Sequence, residues 1–342
     1  MNPVAGILLI ALGSIGAASF YVPFKKVKEW SWESYWIAQG VAAWLIAPSL
    51  FALIFIPQGE LLPILRESPA SAKLMAAFFG VLWGFGGLTF GLSMRYLGVA
   101  LGQSIALGLC AAFGTIIPAV VAGQDLFASR AGILTLVGVA LTVAGISIIG
   151  YAGALKSKSM TEEEKRKAIK EFALKKGILI AVFSGIMSAC FNFGYEAGKP
   201  IEEVALAHGT NPLYQKNPTL IFILLGGFIT NLIYCGYLNL KNKTYTDYLG
   251  VTRKILLNNI LFTFLAGFLW FLQFHFFGMG SSKLPSGMAV FGWSILMALN
   301  IAISNIWGII LSEWKGVNTK TIAVLLAGII VLILSTFVVK LS

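Results

Sequence analysis

The stretch GILLIALGSIGAASF, residues 6–20, has a counterpart half a chain later in GILIAVFSGIMSACF, residues 177–191. The two stretches align without a gap at an offset of 171 residues, and six of the fifteen positions are identical. The identical pairs are Gly6/Gly177, Ile7/Ile178, Leu8/Leu179, Ile15/Ile186, Ala18/Ala189 and Phe20/Phe191. Such self-similarity indicates that the chain contains an internal duplication.

A second match follows in the same order further along each half, at an offset of 187 residues. It pairs Gly80, Leu82, Trp83, Phe90 and Gly91 with Gly267, Leu269, Trp270, Phe277 and Gly278. Apolar segments align easily by chance, so either match alone would be weak. Two matches in the same order favour a duplication of the whole architecture.

The composition around these stretches excludes a soluble protein. Of the 342 residues, 58% are apolar and only 11% are charged, and the mean hydropathy is +0.84. A soluble globular chain carries about a quarter charged residues. The 37 glycines are typical of membrane helices that pack closely. The chain is therefore predicted to be an integral membrane protein.

A bilayer core of about 30 Å requires roughly 20 apolar residues in each helix. The sequence contains ten such stretches, at about 3–24, 34–56, 73–94, 98–121, 131–153, 177–198, 218–239, 256–279, 288–311 and 320–340. Ten spans with a duplication predict two repeats of five. Because five is odd, the second repeat enters the membrane from the opposite side. The predicted fold is an all-α polytopic membrane protein of ten transmembrane helices in two inverted five-helix repeats.

The predicted domains are an N-terminal repeat (1–154), a charged linker (155–176) and a C-terminal repeat (177–342). In the linker, Thr161–Glu164 has the form of a capping box, which favours a solvated helix. Of the 25 basic residues, 18 fall on one side of the predicted spans, linker included. The positive-inside rule makes that side cytoplasmic and both termini periplasmic. It also accounts for the net charge of +11 without nucleic acid as a partner.

Inverted-repeat membrane proteins are commonly transporters that bind substrate near mid-membrane and alternate access to it. Amide and aromatic side chains are numerous within the spans, and no span has an acidic residue at its centre. Amides both donate and accept hydrogen bonds, and flat rings stack on sugars, so a neutral, polyhydroxylated ligand is favoured. The candidate substrate-binding residues are Tyr21, Trp83, Gln103, Asn192, Trp270, Gln273 and His275.

Other interpretations of these residues and of the chain stay open. Each tryptophan can instead serve in core packing or at the lipid interface, and each amide in an interhelical hydrogen bond. Two histidines and three dispersed cysteines form no ligand cluster, so we expect neither a metal nor a cofactor. An enzyme should show an ionisable cluster at one membrane depth, and none is visible. A monomer is plausible, because ten helices can enclose a cavity unaided.

Four motifs point to a family. They are FYVPFKKVKEWSWE (20–33), MRYLG (94–98), WFLQF (270–274) and the pair Glu313-Trp314. In this order, and over essentially the whole chain, the sequence resembles the bacterial L-rhamnose–proton symporters of the drug/metabolite transporter superfamily. The resemblance implies ten helices in two inverted repeats and proton-coupled uptake of L-rhamnose across the inner membrane. A carrier for a related sugar, or an exporter of a small metabolite, remains the alternative.

The resemblance also suggests a proton-coupling residue. Glu33 is the first candidate, because it closes the WSWE run at the start of the second span. Its alternative role is that of an interfacial carboxylate paired with a nearby lysine of the first loop. Glu196 and His275 are the other candidates, the latter because an imidazole titrates near neutral pH.

Overall fold

The computed structural model describes residues 2–97, 99–159, 173–311 and 314–341, and every regular element in these ranges is helical. Ten helical segments there are long and apolar enough to cross a membrane, which confirms the predicted number of spans. They are α1 Pro3–Phe24, α2 Trp32–Phe55, α3 Ala70–Met94, α4 Gly102–Val121, α5 Arg130–Lys158, α6 Leu174–Ala207, α7 Asn217–Asn242, α8 Arg253–Ser281, α9 Met288–Ile310 and α10 Thr319–Leu341.

Some sequence predictions lie outside the described residues. They are the capping box Thr161–Glu164 with the rest of linker residues 160–172, Gly98 of the MRYLG motif, and Glu313 of the Glu313-Trp314 pair.

Helix α2 differs from a regular span at its centre. It is α-helical over Trp32–Gly40, π-helical over Val41–Ile46 and α-helical again over Ala47–Phe55. A π-helical turn inserts extra chain into the helix, so residues after it face a different direction from the one a 3.6-residue period predicts. Such turns occur frequently at functional sites.

Helix α6 is longer than the sequence predicts. It breaks at Gly198 and continues as the segment Lys199–Ala207, with Pro200 in its first turn, a position where proline is well accommodated because its missing N–H would be unpaired anyway. Hydropathy ended this span at residue 198, because Lys199 and two glutamates follow. The continuation brings one of those glutamates, Glu202, into a buried position.

The described helices pack as two compact units. Unit 1 comprises Met1–Ala11, Phe85–Phe193 and Gly280–Ser342. In it, α5 packs against both α4 and α10, and α9 packs against α4 and α10. Trp293 is buried at its centre, where the indole Nε1 donates to the Cys110 carbonyl (3.1 Å) and the ring stacks on Phe191 with centroids 5.6 Å apart.

Unit 2 comprises Leu12–Gly84 and Gly194–Met279. Here α7 packs along α2, and the short helix Leu61–Glu67 packs against the Lys199–Ala207 segment of α6. Helix α3 approaches α7 through small residues, since a Cβ on Gly80 would lie 2.0 Å from the Ile223 carbonyl oxygen. Backbones that come this close are typical of membrane helix pairs with glycine at the contact.

This close approach predicts that Gly80→Ala destabilises the protein. The added methyl has no room beside the Ile223 backbone, so α3 and α7 must move apart. Overpacking of this kind costs about 1–3 kcal/mol, and we expect a lower apparent melting temperature in detergent. Gly87→Ala, on the same helix with nothing within 4 Å of the added Cβ, is the matched control. Equal melting temperatures for the two variants would contradict the prediction.

Candidate functional site

Three tryptophans meet inside unit 2. The rings of Trp83 and Trp270 lie 5.6 Å apart between centroids, inclined by 33°. Trp44 stands edge-on to both, at 5.6 Å from Trp270 and 6.2 Å from Trp83. We call Trp44, Trp83 and Trp270 the tryptophan cluster. The structure thus brings together the two tryptophans that the internal duplication had singled out.

Glycines make room for this cluster. A Cβ on Gly227 of α7 would lie 2.3 Å from the Trp83 ring, and one on Gly40 would lie 2.7 Å from the Trp44 ring. Both rings therefore press directly on helix backbone. Trp83 and Trp270 each keep part of their surface exposed, whereas Trp44 is buried. The cluster can present aromatic surface to a ligand while its base is held by α2 and α7.

Unpaired polar atoms occur in the cluster and on α2, the helix that carries Trp44. Within the described part of the chain, Trp44 Nε1 and both amide atoms of buried Gln39 have no hydrogen-bond partner. A buried polar group without a partner costs about 1–3 kcal/mol. Gln273, one turn after Trp270, donates from Nε2 to the Trp270 carbonyl (3.0 Å). Hydrogen-bonding groups thus accompany the aromatic surface, as a neutral hydroxylated ligand requires.

Sequence reasoning missed Trp44. The π-helical turn Val41–Ile46 contains this residue, and it changes which face of α2 the residue occupies. The 3.6-residue period of a regular α-helix therefore does not predict which face of α2 Trp44 occupies. The ring of Trp36 lies 6.2 Å from the Trp44 ring. This nearby tryptophan is only a weak indication in the sequence that Trp44 belongs to an aromatic site.

His275 occupies a different environment in the same unit. Its ring contacts Phe51 (4.7 Å between centroids), Phe55 (5.0 Å) and Tyr214 (6.0 Å). Nδ1 lies 3.0 Å from Asn217 Oδ1, within hydrogen-bonding distance. The side chain is buried, and the described contacts place it in an aromatic box rather than in the tryptophan cluster.

The other predicted substrate residues do not join the cluster. Asn192 belongs to unit 1, where it is buried and donates from Nδ2 to the Gly114 carbonyl (2.7 Å). Gln103 belongs to unit 1 as well and is partly exposed. Tyr21, in unit 2, is 57% exposed and its ring packs on Phe20 and Phe24. The described contacts of unit 2 therefore assemble Trp83, Trp270 and Gln273 out of the predicted set.

Glu33 is a buried carboxylate near the start of α2. Its Oε1 accepts two hydrogen bonds of 2.9 Å, from Asn242 Nδ2 and from Thr244 Oγ1. These donors belong to the end of α7 and to the turn that follows it. The carboxylate thus ties two chain segments together, and no ion pair with a lysine of the first loop is found among the described residues.

A family model for the L-rhamnose-proton symport protein matches residues 2–342 of this chain. The chain belongs to the L-rhamnose-proton symport protein family. It is 37% identical to the L-rhamnose-proton symporters of Yersinia pestis (strain Pestoides F) and Yersinia pseudotuberculosis serotype O:1b (strain IP 31758). These alignments run over 343 residues and cover 99% of this chain and 98% of each relative. The family is one of transporters, not of enzymes.

Because proteins of this family couple transport to protons, the ionisable side chains of unit 2 are candidates for proton binding. Several of them lie together where α6 ends and α7 begins. Glu196 pairs with Lys199 on one turn of α6. Glu202 is 6% exposed, and its Oε1 lies 3.4 Å from Lys216 Nζ. That ammonium also stands 4.7 Å from the centroid of the Tyr195 ring. Sequence reasoning named only Glu196 among these residues.

His208, in the loop after α6, joins two carboxylates of the segment between α2 and α3. Nδ1 lies 2.6 Å from Glu60 Oε2 and Nε2 lies 2.9 Å from Glu67 Oε2. The hydrogen bonds to Glu60 and then Glu67 raise the pKa of His208 above its ordinary value of 6.5. The imidazolium therefore closes a bridge between the loop before α3 and the loop before α7.

The raised pKa of His208 predicts pH-dependent stability. Because the folded protein binds this proton more tightly than the unfolded chain, the stabilisation is fully present below pH 6.5 and is lost as pH rises through the folded-state pKa. We expect His208→Gln to lower the apparent melting temperature at pH 6 and to change it less at pH 8.5. Glu203→Gln, an exposed carboxyl change nearby, serves as the control. This prediction would be contradicted if the difference in melting temperature between wild type and His208→Gln were the same at pH 6 and at pH 8.5.

Proposed function

We propose that this chain imports L-rhamnose together with protons by alternating access. The observation that carries the proposal is the Trp83–Trp270 pair, with ring centroids 5.6 Å apart beside the unpaired Nε1 of Trp44. Aromatic faces bind the apolar side of a sugar ring, and unpaired donors and acceptors bind its hydroxyls. The 6-methyl group of L-rhamnose adds apolar surface that suits such a cluster. Family membership supports the same substrate.

The architecture that goes with this function is two inverted repeats, residues 1–154 and 177–342, joined by linker 155–176. Trp83 and Trp270 occupy matching positions of the two repeats, and their contact supports a substrate site made by both. The compact units are defined by which helices pack together, whereas the proposed repeats are defined by sequence similarity. The boundaries of the units therefore need not coincide with those of the repeats. The same proposal places the chain in the drug/metabolite transporter superfamily.

We further propose a location in the bacterial inner membrane with both termini periplasmic. The excess of lysine and arginine on one side of the spans supports this orientation. A reporter active only in the periplasm, fused after Ser342, should be active. Silence of that fusion, with a cytoplasmic reporter active at the same position, would reverse the topology.

The proton-coupling assignment remains Glu33, with Glu196 and His275 as alternatives. This role is supported by the burial of Glu33 and by the hydrogen bonds that it accepts from the neutral side chains of Asn242 and Thr244. Substrate contacts are proposed for the whole predicted set. Among its members, Trp270 and Gln273 receive the strongest support, since Trp270 belongs to the tryptophan cluster and Gln273 is hydrogen-bonded to it one turn later on α8.

The transport proposal is tested by proton movement in unbuffered, de-energised cells that express the chain. Addition of L-rhamnose should make the medium alkaline, because each sugar that enters takes a proton with it. D-glucose should give no signal. Alkalinisation by neither sugar, with the protein present in the membrane, would overturn the proposal, and alkalinisation by another sugar would reassign the substrate.

A further inference from the structure

We propose that Glu202 is a proton-binding carboxyl of the transport cycle and that Lys216 is the counter-charge that lets it release the proton. This inference rests on the proposed function. It assigns a role to an ion pair that lies at the end of α6, in a segment that hydropathy does not recognise as part of a span. Under the predicted topology this end of unit 2 is the periplasmic side, from which an imported proton arrives.

The first step concerns how the Glu202 charge is held. The residue is 6% exposed, and Lys216 Nζ is 3.4 Å from its Oε1. Charge-assisted hydrogen bonds are ordinarily about 2.7–2.9 Å long. In the described part of the chain, no donor reaches Oε1 with hydrogen-bonding geometry. The charge of this buried carboxylate is therefore incompletely satisfied at Oε1.

The surroundings of Glu202 contain few other charges. Lys199 and Glu196 lie about one and two turns before it, respectively, and are paired with each other. The packed short helix Leu61–Glu67 contributes Arg66 and Glu67, and the latter is bound by His208. His275 of α8 lies within hydrogen-bonding distance of Asn217 at the start of α7. Lys216 is thus the positive group that responds most directly when Glu202 gains or loses its proton.

The second step links this pair to the sugar site. Lys216 Nζ lies 4.7 Å from the Tyr195 ring centroid, a cation–π distance. Tyr195 is buried, and its hydroxyl donates to the Phe274 carbonyl of α8 (3.1 Å). The Phe274 ring packs on Trp270 with centroids 4.8 Å apart. A movement of the Lys216 ammonium therefore reaches the tryptophan cluster through three contacts, by way of Tyr195 and Phe274, which gives a physical route for coupling proton to sugar.

The proton step conserves charge and atoms, because one proton binds to Glu202 and the same number leaves it. Glu202 takes a proton from the outer medium, becomes a neutral carboxyl and frees Lys216 from the ion pair. When the proton leaves towards the cytoplasmic side, the carboxylate forms again and draws Lys216 back. Glu33, near the start of α2, would then be the carboxyl at the predicted cytoplasmic side. The route would thus have one proton-binding group at each side of the membrane.

The test compares Glu202→Gln with Glu203→Gln in L-rhamnose accumulation and in exchange of labelled for unlabelled L-rhamnose across de-energised vesicles. Glu203 is the neighbouring residue and is exposed, so it is a matched control. We expect Glu202→Gln to lose uphill accumulation and sugar-induced alkalinisation while exchange continues, and Glu203→Gln to behave as wild type. Full accumulation by Glu202→Gln would overturn the inference.

A second variant keeps the test decisive if Glu202→Gln fails to reach the membrane. Lys216→Met retains the carboxyl but removes its counter-charge, so the proton should be released only at higher pH. We expect the pH profile of accumulation to move in the alkaline direction by about one unit or more. An unchanged profile would overturn the role of the pair. Absence of transport by wild type would instead reject the proposed function itself.

Discussion

Trp270→Ala should raise the half-saturation concentration for L-rhamnose uptake about 30-fold. The Trp270 ring lies 5.6 Å from the ring of Trp44 and 5.6 Å from the ring of Trp83, measured between centroids. Burial of roughly 80 Å² of sugar surface on an indole, at about 25 cal/mol per Å², contributes about 2 kcal/mol. This loss corresponds to an increase of ~30-fold in the dissociation constant.

The measurement is uptake of labelled L-rhamnose over a range of concentrations, together with stabilisation by the sugar in detergent. Trp270→Phe keeps an aromatic face, and we expect it to lie between wild type and Trp270→Ala. Trp307→Ala removes a partly exposed tryptophan from unit 1 and is the matched control for truncation of an indole. An unchanged half-saturation concentration for Trp270→Ala would show that the tryptophan cluster does not bind the substrate.

Glu33→Gln should abolish uphill accumulation of L-rhamnose and leave sugar exchange intact. Glu33 Oε1 accepts hydrogen bonds from Asn242 and Thr244, both of 2.9 Å. The amide oxygen of glutamine can accept the same two bonds, so the substitution removes the charge and the titratable proton while it preserves the acceptor. Loss of coupling in this variant is therefore attributable to protonation rather than to packing.

The experiment measures the steady-state ratio of internal to external sugar under an imposed proton gradient, and exchange without one. Glu29→Gln, an exposed carboxyl in the loop just before α2, is the control and should accumulate as wild type does. If Glu33→Gln still concentrates L-rhamnose against a gradient, its carboxyl is structural, and the coupling role falls to Glu202 or to the alternatives Glu196 and His275. Loss of exchange as well would instead indicate that Glu33 supports the fold.

These experiments together separate the two ends of the proton route. In Glu33→Gln the pair of Glu202 and Lys216 is unchanged, so proton binding on the predicted periplasmic side should survive. In Glu202→Gln, proton binding on the predicted periplasmic side should be lost, whereas Glu33 is unchanged. Alkalinisation followed over the first turnover would therefore distinguish the variants, since only a transporter with an intact outer carboxyl takes up a proton before the sugar is released inside.

The helical composition and the number of spans were predictable from the sequence, because both depend on the average apolarity of windows of about 20 residues. The ten segments of the structure agree with that count. The internal match also singled out Trp83 and Trp270 as a pair in sequence, but only the structure shows that their rings meet. Family membership followed from motifs spread over the chain, and the family model that matches residues 2–342 confirms it.

Only the tertiary structure identified Trp44 and Glu202, for two different physical reasons. Trp44 lies in the π-helical turn Val41–Ile46, and a period of 3.6 residues cannot show which way a side chain points there. Glu202 lies in a segment whose charges end a hydropathy window, yet the carboxyl is buried because Lys216 comes within 3.4 Å from the start of the next helix. Averages over a window report whether a helix enters the membrane. Which charges and rings face one another depends on packing between helices that are distant in sequence.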